Sequence, residues 1–227
     1  MKTGAFVILL PAMLLLLIST LQAKEMDFDK VKEGSIVVSF PVDLNGDGKM
    51  EKVKIKAYNV TKEDYFGQLV IVDSKGVALW EGPRIKDRNS NDPFFFGAFM
   101  AGIALPEVVA DIDGDGKVEM LSSSPMSDVR PQYFLEFRWD GIRFNYVQAK
   151  ALMETSQGSG VFTWQKPKSH KGGWIMSFES ASGSKTFTAH IFSRYGDKEM
   201  VGKAEVGPAQ GGFKVIRWIE TLKPVIM

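Results

Sequence analysis

The sequence predicts an all-β protein built from antiparallel sheets that are propeller-blade-like or sandwich-like. Three observations point there. Short runs rich in Val, Ile, Phe, Tyr and Trp are bounded by clusters of Gly, Asp, Asn, Ser and Pro, the pattern of strands separated by turns. Asp140-Gly141 stands between two such runs, and an Asp-Gly pair accepts the positive φ angles that a two-residue hairpin turn requires. Helical signal is thin, confined to Gln148 to Thr155, which is enough for about two turns.

The first element is not part of the fold. Lys2 precedes an almost wholly apolar run from Phe6 to Ile18, followed by Ser19-Thr20-Leu21-Gln22-Ala23 and then charged residues. This is the layout of a secretory signal peptide. The apolar run falls short of the roughly 20 residues that span a bilayer, and Ala23 supplies a small residue before a cut. Residues 1–23 are therefore expected to be removed, leaving a secreted or periplasmic protein with no stable membrane insertion.

The mature chain would have 227 − 23 = 204 residues and, with Lys2 gone, 27 basic and 27 acidic residues. A neutral balance offers no general attraction to nucleic acid or anionic lipid, which needs an excess of Lys and Arg on one face. The absence of cysteine excludes disulfides, thiolate metal sites, thiol nucleophiles and a lipid-modified N-terminal cysteine.

Strands are expected, in order, at Ser35 to Phe40, Val53 to Tyr58, Gln68 to Val72, Val77 to Trp80, Val118 to Ser122, Tyr133 to Trp139, Arg143 to Val147, Val161 to Trp164, Trp174 to Phe178, Lys185 to Phe192, Glu199 to Val206 and Phe213 to Glu220. Each is a run enriched in β-branched and aromatic residues and closed by turn formers.

Two segments between these runs are near copies: Asp43-Leu44-Asn45-Gly46-Asp47-Gly48-Lys49-Met50-Glu51 and Asp111-Ile112-Asp113-Gly114-Asp115-Gly116-Lys117-Val118-Glu119. Oxygen-bearing side chains at positions 1, 3 and 5, a main-chain carbonyl at 7 and an acid at 9 can wrap a hard cation that takes 6 to 8 oxygen ligands. Side chains at 1, 3 and 5 converge only if the backbone coils tightly, and Gly46, Gly48, Gly114 and Gly116 permit that because they lack a Cβ. The expected ligand sets are Asp43, Asn45, Asp47, Lys49 and Glu51 for one calcium ion, and Asp111, Asp113, Asp115, Lys117 and Glu119 for a second. The lysines would act through their carbonyls. With four carboxylates against three and an amide, the second loop is expected to bind more tightly.

The loops begin 111 − 43 = 68 residues apart, and each leads into a strand pair ending in Trp-acid-Gly, Trp80-Glu81-Gly82 and Trp139-Asp140-Gly141. Such a period suits a four-stranded propeller blade better than shorter solenoid repeats. Residues 24–150 form the calcium-bearing region, and 151–227 continue as a β extension of the same domain in which the Asp pattern is lost.

Phe96-Gly97-Ala98, then Pro106-Glu107-Val108-Val109-Ala110 leading into Asp111 to Glu119, then Met120 to Pro125, resemble the FG-GAP or VCBS-type repeat of integrin-α-like β-propellers. Asp43 to Gly48 is similar to the same family's calcium loop. The resemblance covers two units. It implies structural calcium and a role in adhesion or recognition. Glu51 and Glu119 stand where that family usually has Asp, and a 68-residue period leaves room for 204/68 = 3 units, short of about seven blades. A small sandwich, an open stack of blades or closure through an oligomer remain the options. An EF-hand would need an acid at position 12 and flanking helices, whereas Lys54 and Ser122 stand there.

His170 and His190 have no metal-ligand spacing, and Gln157 and Val161 flank Gly158-Ser159-Gly160 where a nucleophile elbow has glycines. The tryptophans and Phe94-Phe95-Phe96 read as core between sheets, with an aromatic sugar-binding platform as the alternative. The function expected is thus an exported calcium-binding β-module for binding, adhesion or scaffolding, with a protein or glycan partner. The alternative is an exported enzyme or accessory subunit acting on polysaccharide, with acids such as Asp87, Asp92, Asp128 or Asp140 in a cleft.

Overall fold

The computed structural model describes residues 30–87, 90–99, 102–123, 134–147, 161–162, 172–179, 181–195, 198–209 and 212–225. The expected signal segment 1–23, the short helical stretch Gln148 to Thr155, and Gly158-Ser159-Gly160 lie outside these residues. Among the described residues there is no α-helix, and the chain is all-β as expected.

Among the described residues sixteen strands form three sheets, antiparallel throughout except for one parallel pairing. The first holds β1 (Ile36–Val42), β2 (Glu51–Tyr58), β3 (Tyr65–Val72), β4 (Ala78–Glu81), β5 (Phe96–Phe99) and β6 (Gly102–Ala104). The second holds β7 (Pro106–Ala110), β8 (Glu119–Ser123), β9 (Phe134–Trp139), β10 (Phe144–Val147) and β13 (Ala181–Ser182). The third holds β11 (Val161–Phe162), β12 (Gly172–Phe178), β14 (Phe187–Tyr195), β15 (Lys198–Ala209) and β16 (Gly212–Pro224).

Each sheet contains one four-stranded meander in which successive strands pair: β1-β2-β3-β4, β7-β8-β9-β10 and β12-β14-β15-β16. These blade-like units begin at Ile36, Pro106 and Gly172, nearly evenly spaced. Both Asp loops join the first strand of a meander to the second. In the third unit the equivalent connection, residues 179–186, instead sends out β13, which pairs in parallel with β7 and donates from Gly183 N–H to Val109 O at 3.0 Å.

The second sheet is the middle layer, which explains why both of its faces are apolar. Alternate side chains of a strand point to opposite faces. Val109, Met120, Phe137 and Trp139 pack on Val53, Ile55, Leu69, Ile71 and Phe96 of the first sheet. Val108, Leu121 and Phe134 pack on Ile175, Phe187, Ile191, Val206 and Phe213 of the third. Each of these buried side chains contributes about 1.5 to 3 kcal/mol, so two continuous cores hold three sheets without a disulfide.

All twelve expected strands are present, though residue 133 of one and residues 163 and 164 of another lie outside the described residues. β5, β6, β7 and β13 are strands that the alternation pattern passed over. Trp80 and Trp139 are not equivalent, as the shared Trp-acid-Gly spelling had implied. Trp80 lies on the fourth strand of its meander and Trp139 at the end of the third. The turn that matches Asp140-Gly141 is Asp73 to Val77, where Asp73 Oδ1 accepts from Lys75 N–H and Val77 N–H much as Asp140 Oδ1 accepts from Ile142 N–H and Arg143 N–H.

Candidate metal centres

Both loops share the same main-chain frame, but among the described residues only the second brings three carboxylates together. Position 2 is apolar and buried: Leu44 enters the core between the first and second sheets, and Ile112 the core between the second and third. The acid at position 9 opens the next strand and turns back to cap that residue's main chain. Glu51 Oε2 accepts from Leu44 N–H at 2.9 Å, and Glu119 Oε2 accepts from Ile112 N–H at 3.0 Å. The four loop glycines have φ between 70° and 83°, a region that costs an L-residue about 1 to 2 kcal/mol.

Position 1 then organises the coil through both carboxylate oxygens. Asp43 accepts from Asp47 N–H at 3.1 Å and Gly48 N–H at 2.8 Å, and Asp111 from Gly114 N–H at 2.7 Å and Gly116 N–H at 3.0 Å. Position 5 caps the following turn, Asp47 Oδ1 accepting from Lys49 N–H and Asp115 Oδ1 from Lys117 N–H, each at 2.9 Å.

In the second loop Asp111, Asp113 and Asp115 each present an oxygen within 4.8 Å of the others. Two oxygens bound to one calcium at 2.3 to 2.6 Å can be at most about 5 Å apart, so this group could hold a metal ion. Glu119 strengthens the fit. Its side chain is fully buried, and Oε1 has no hydrogen-bond partner, although it lies 2.9 Å from Arg138 Nε, which is likewise without one. The two make an ion pair at poor hydrogen-bonding angle. A buried carboxylate oxygen left without a hydrogen bond is costly unless a cation faces it. Burial foremost, with Asp113 and Asp115 adding their charge, pushes the Glu119 carboxyl up to about 7; the Ile112 N–H and Arg138 oppose the shift.

The surroundings of the two loops differ. Arg138, opposite Glu119 on β9, lies against the second loop, with Nη2 2.7 Å from Asp113 Oδ2 and Nη1 3.4 Å from Asp115 Oδ2. In the first loop the cation is Lys49, whose Nζ donates to Asp47 Oδ2 at 2.8 Å at an exposed position and holds that carboxyl below its usual range. Asn45 Oδ1 accepts from Trp139 Nε1 at 3.1 Å. Lys117 is exposed. The spacing reached the loop residues but missed Arg138 and Trp139, which arrive from β9 through strand register.

Two of the other acids have structural explanations. Asp92 Oδ1 accepts from Phe94 N–H and Asp140 caps its hairpin turn, while Asp128 and His170 lie outside the described residues. Phe95 and Phe96 are buried, and Phe94 packs against the core of the first two sheets. Among the tryptophans, Trp139 and Trp174 are buried and Trp218 packs against the second core; Trp164 lies outside the described residues. His190 is half-buried on β14, where burial and then Lys203 depress its pKa.

Compared with protein-family models, with curated proteins and with solved structures, the chain matches none.

Proposed function

We propose that this is an exported, secreted or periplasmic, calcium-binding β-module in which two structural calcium ions pin the Asp loops and the exposed loops engage a protein or glycan partner. The observation that carries the reading is the Asp111, Asp113 and Asp115 group, which presents oxygens within 4.8 Å of one another beside the buried Glu119, whose Oε1 has no hydrogen bond and is ion-paired with Arg138. The same loop architecture recurs at Asp43 to Glu51, at the same place in its meander, which supports a second site. The blade-like meanders and the loop position between first and second strands support the resemblance to FG-GAP or VCBS repeats. Calcium is favoured over softer metals because the donors are all oxygen.

In this role the ion would neutralise a cluster of like charges and fix the angle between the two strands leaving each loop, holding neighbouring meanders in register. Extracellular calcium modules bind at about 10⁻⁴ to 10⁻³ M, concentrations at which the ion is a standing part of the fold. Thermal unfolding with and without millimolar calcium, after chelation, tests the reading. A clear rise in Tm with calcium is expected, and a Tm indifferent to both calcium and chelator would refute it.

A further inference from the structure

The identity of the ion here rests on the calcium reading above; the geometry does not. The eight carboxylate oxygens of Asp111, Asp113, Asp115 and Glu119 divide between two kinds of partner. Both oxygens of Asp111, Oδ1 of Asp113, Oδ1 of Asp115 and Oε2 of Glu119 accept backbone N–H groups. The remaining oxygens, Asp113 Oδ2, Asp115 Oδ2 and Glu119 Oε1, all face one guanidinium, that of Arg138. Asp113 and Asp115 belong to the group that could hold a metal ion, so the guanidinium and a metal would compete for their carboxylates.

We infer that Arg138 is a built-in counter-cation of the second loop, and that a divalent ion enters that loop only by displacing it, so the first loop fills first despite its fewer carboxylates. The guanidinium is always charged and its fork reaches several carboxylates at once. It is two-thirds buried, and one of its partners, Glu119, is fully buried. Taking the guanidinium away leaves the buried Glu119 charge uncompensated, a larger cost than breaking an exposed pair, which contributes about 0 to 1 kcal/mol.

Among the described residues the first loop has no arginine placed as Arg138 is. Continuing the Lys52–Val72 register by one residue places Asp73, an acid, beside Glu51, where the second loop has Arg138 beside Glu119. Its own cation, Lys49, is exposed and pairs with Asp47. Glu136, two residues before Arg138 on the same face of β9, is half-buried, and Arg138 lowers its pKa against the larger raising effect of burial. That carboxylate offers a displaced guanidinium an alternative partner.

The test is a calcium titration of the intact, chelated protein followed by NMR, reading backbone amides of each loop and the arginine Nε–H signals, alongside Arg138→Gln. In the wild type, the first loop should saturate at a calcium concentration lower by about tenfold or more, a difference of about 1.4 kcal/mol per factor of ten. The Arg138 Nε–H signal should move in step with the second loop. In Arg138→Gln, second-loop affinity should rise about tenfold, with the first loop little changed. The inference is overturned if the second loop fills first in the wild type with the Arg138 signal unmoved, a readout that needs no variant to fold, or if Arg138→Gln leaves its affinity unchanged. Absence of binding in wild type and variant alike overturns both this inference and the calcium reading. A second-loop site that appears only in Arg138→Gln supports the inference and removes the second ion from the proposed function.

Discussion

Arg138 and Trp139 are consecutive residues of β9, yet they reach different Asp loops: Arg138 Nη2 lies 2.7 Å from Asp113 Oδ2, while Trp139 Nε1 donates to Asn45 Oδ1 at 3.1 Å. The two-residue period of a strand puts them on opposite faces of the middle sheet. Glu119 pairs in register with Arg138, and Trp139 N–H donates to Val118 O, so the same strand end closes the second loop and braces the first. A slip of β9 by one residue would exchange the two faces and break both contacts.

The Trp139–Asn45 bond should be measurable as a coupling. Trp139→Phe keeps most of the aromatic volume and removes the donor, and Asn45→Ala removes the acceptor. In urea denaturation each should cost about 1 kcal/mol, and the double variant should cost less than the sum by a similar amount. Strict additivity would mean that the contact contributes nothing to the placement of the first loop.

The second loop should make the calcium-free protein less stable as pH rises. Glu119 has a folded pKa of about 7 against an ordinary 4.5. Its raised folded pKa means that the native state holds the proton more tightly, so its contribution to stability is full below 4.5. That contribution is lost as pH climbs toward 7, by at most about 1.4 kcal/mol per pH unit. Glu119→Gln keeps an oxygen for Ile112 N–H and cannot ionise. In chelator, the wild-type stability minus that of Glu119→Gln should decline between pH 4.5 and 7; a difference that rises instead would contradict the burial effect on this carboxyl.

Two glycines should respond unequally to alanine. Gly116 has φ 83° with open space where a Cβ would stand, so Gly116→Ala should cost about 1 to 2 kcal/mol through backbone strain alone. Gly97, φ 144°, would bring a Cβ to 2.2 Å from Tyr65 O, adding an unrelieved clash with backbone. Gly97→Ala should therefore cost about 3 kcal/mol or more, with strain and overpacking combined. Equal midpoints in urea for the two variants would refute this ranking.

What the sequence made legible was local. The twelve expected strands carry enough apolar residues between turn formers to declare themselves, and the Asp loops repeat a spacing that one coiled segment imposes. β5, β6 and β7 escaped because Gly97, Gly102 and Pro106 read as punctuation, although Gly97 is there to let two strands approach closely and Pro106 opens a strand. β13 is a two-residue parallel pairing created by packing. Arg138 escaped for a related reason. Its position beside Glu119 is set by hairpin register across the β8–β9 pair, so the charge count that favoured the second loop omitted the cation lying against it.

The most direct measurement is calcium calorimetry on the chelated protein, with Asn45→Ala and Asp113→Ala beside the wild type. Two sites are expected, the tighter weakened in Asn45→Ala and the weaker lost in Asp113→Ala. No heat of binding in the wild type, with no calcium-dependent shift in Tm, would reduce both loops to acidic turns.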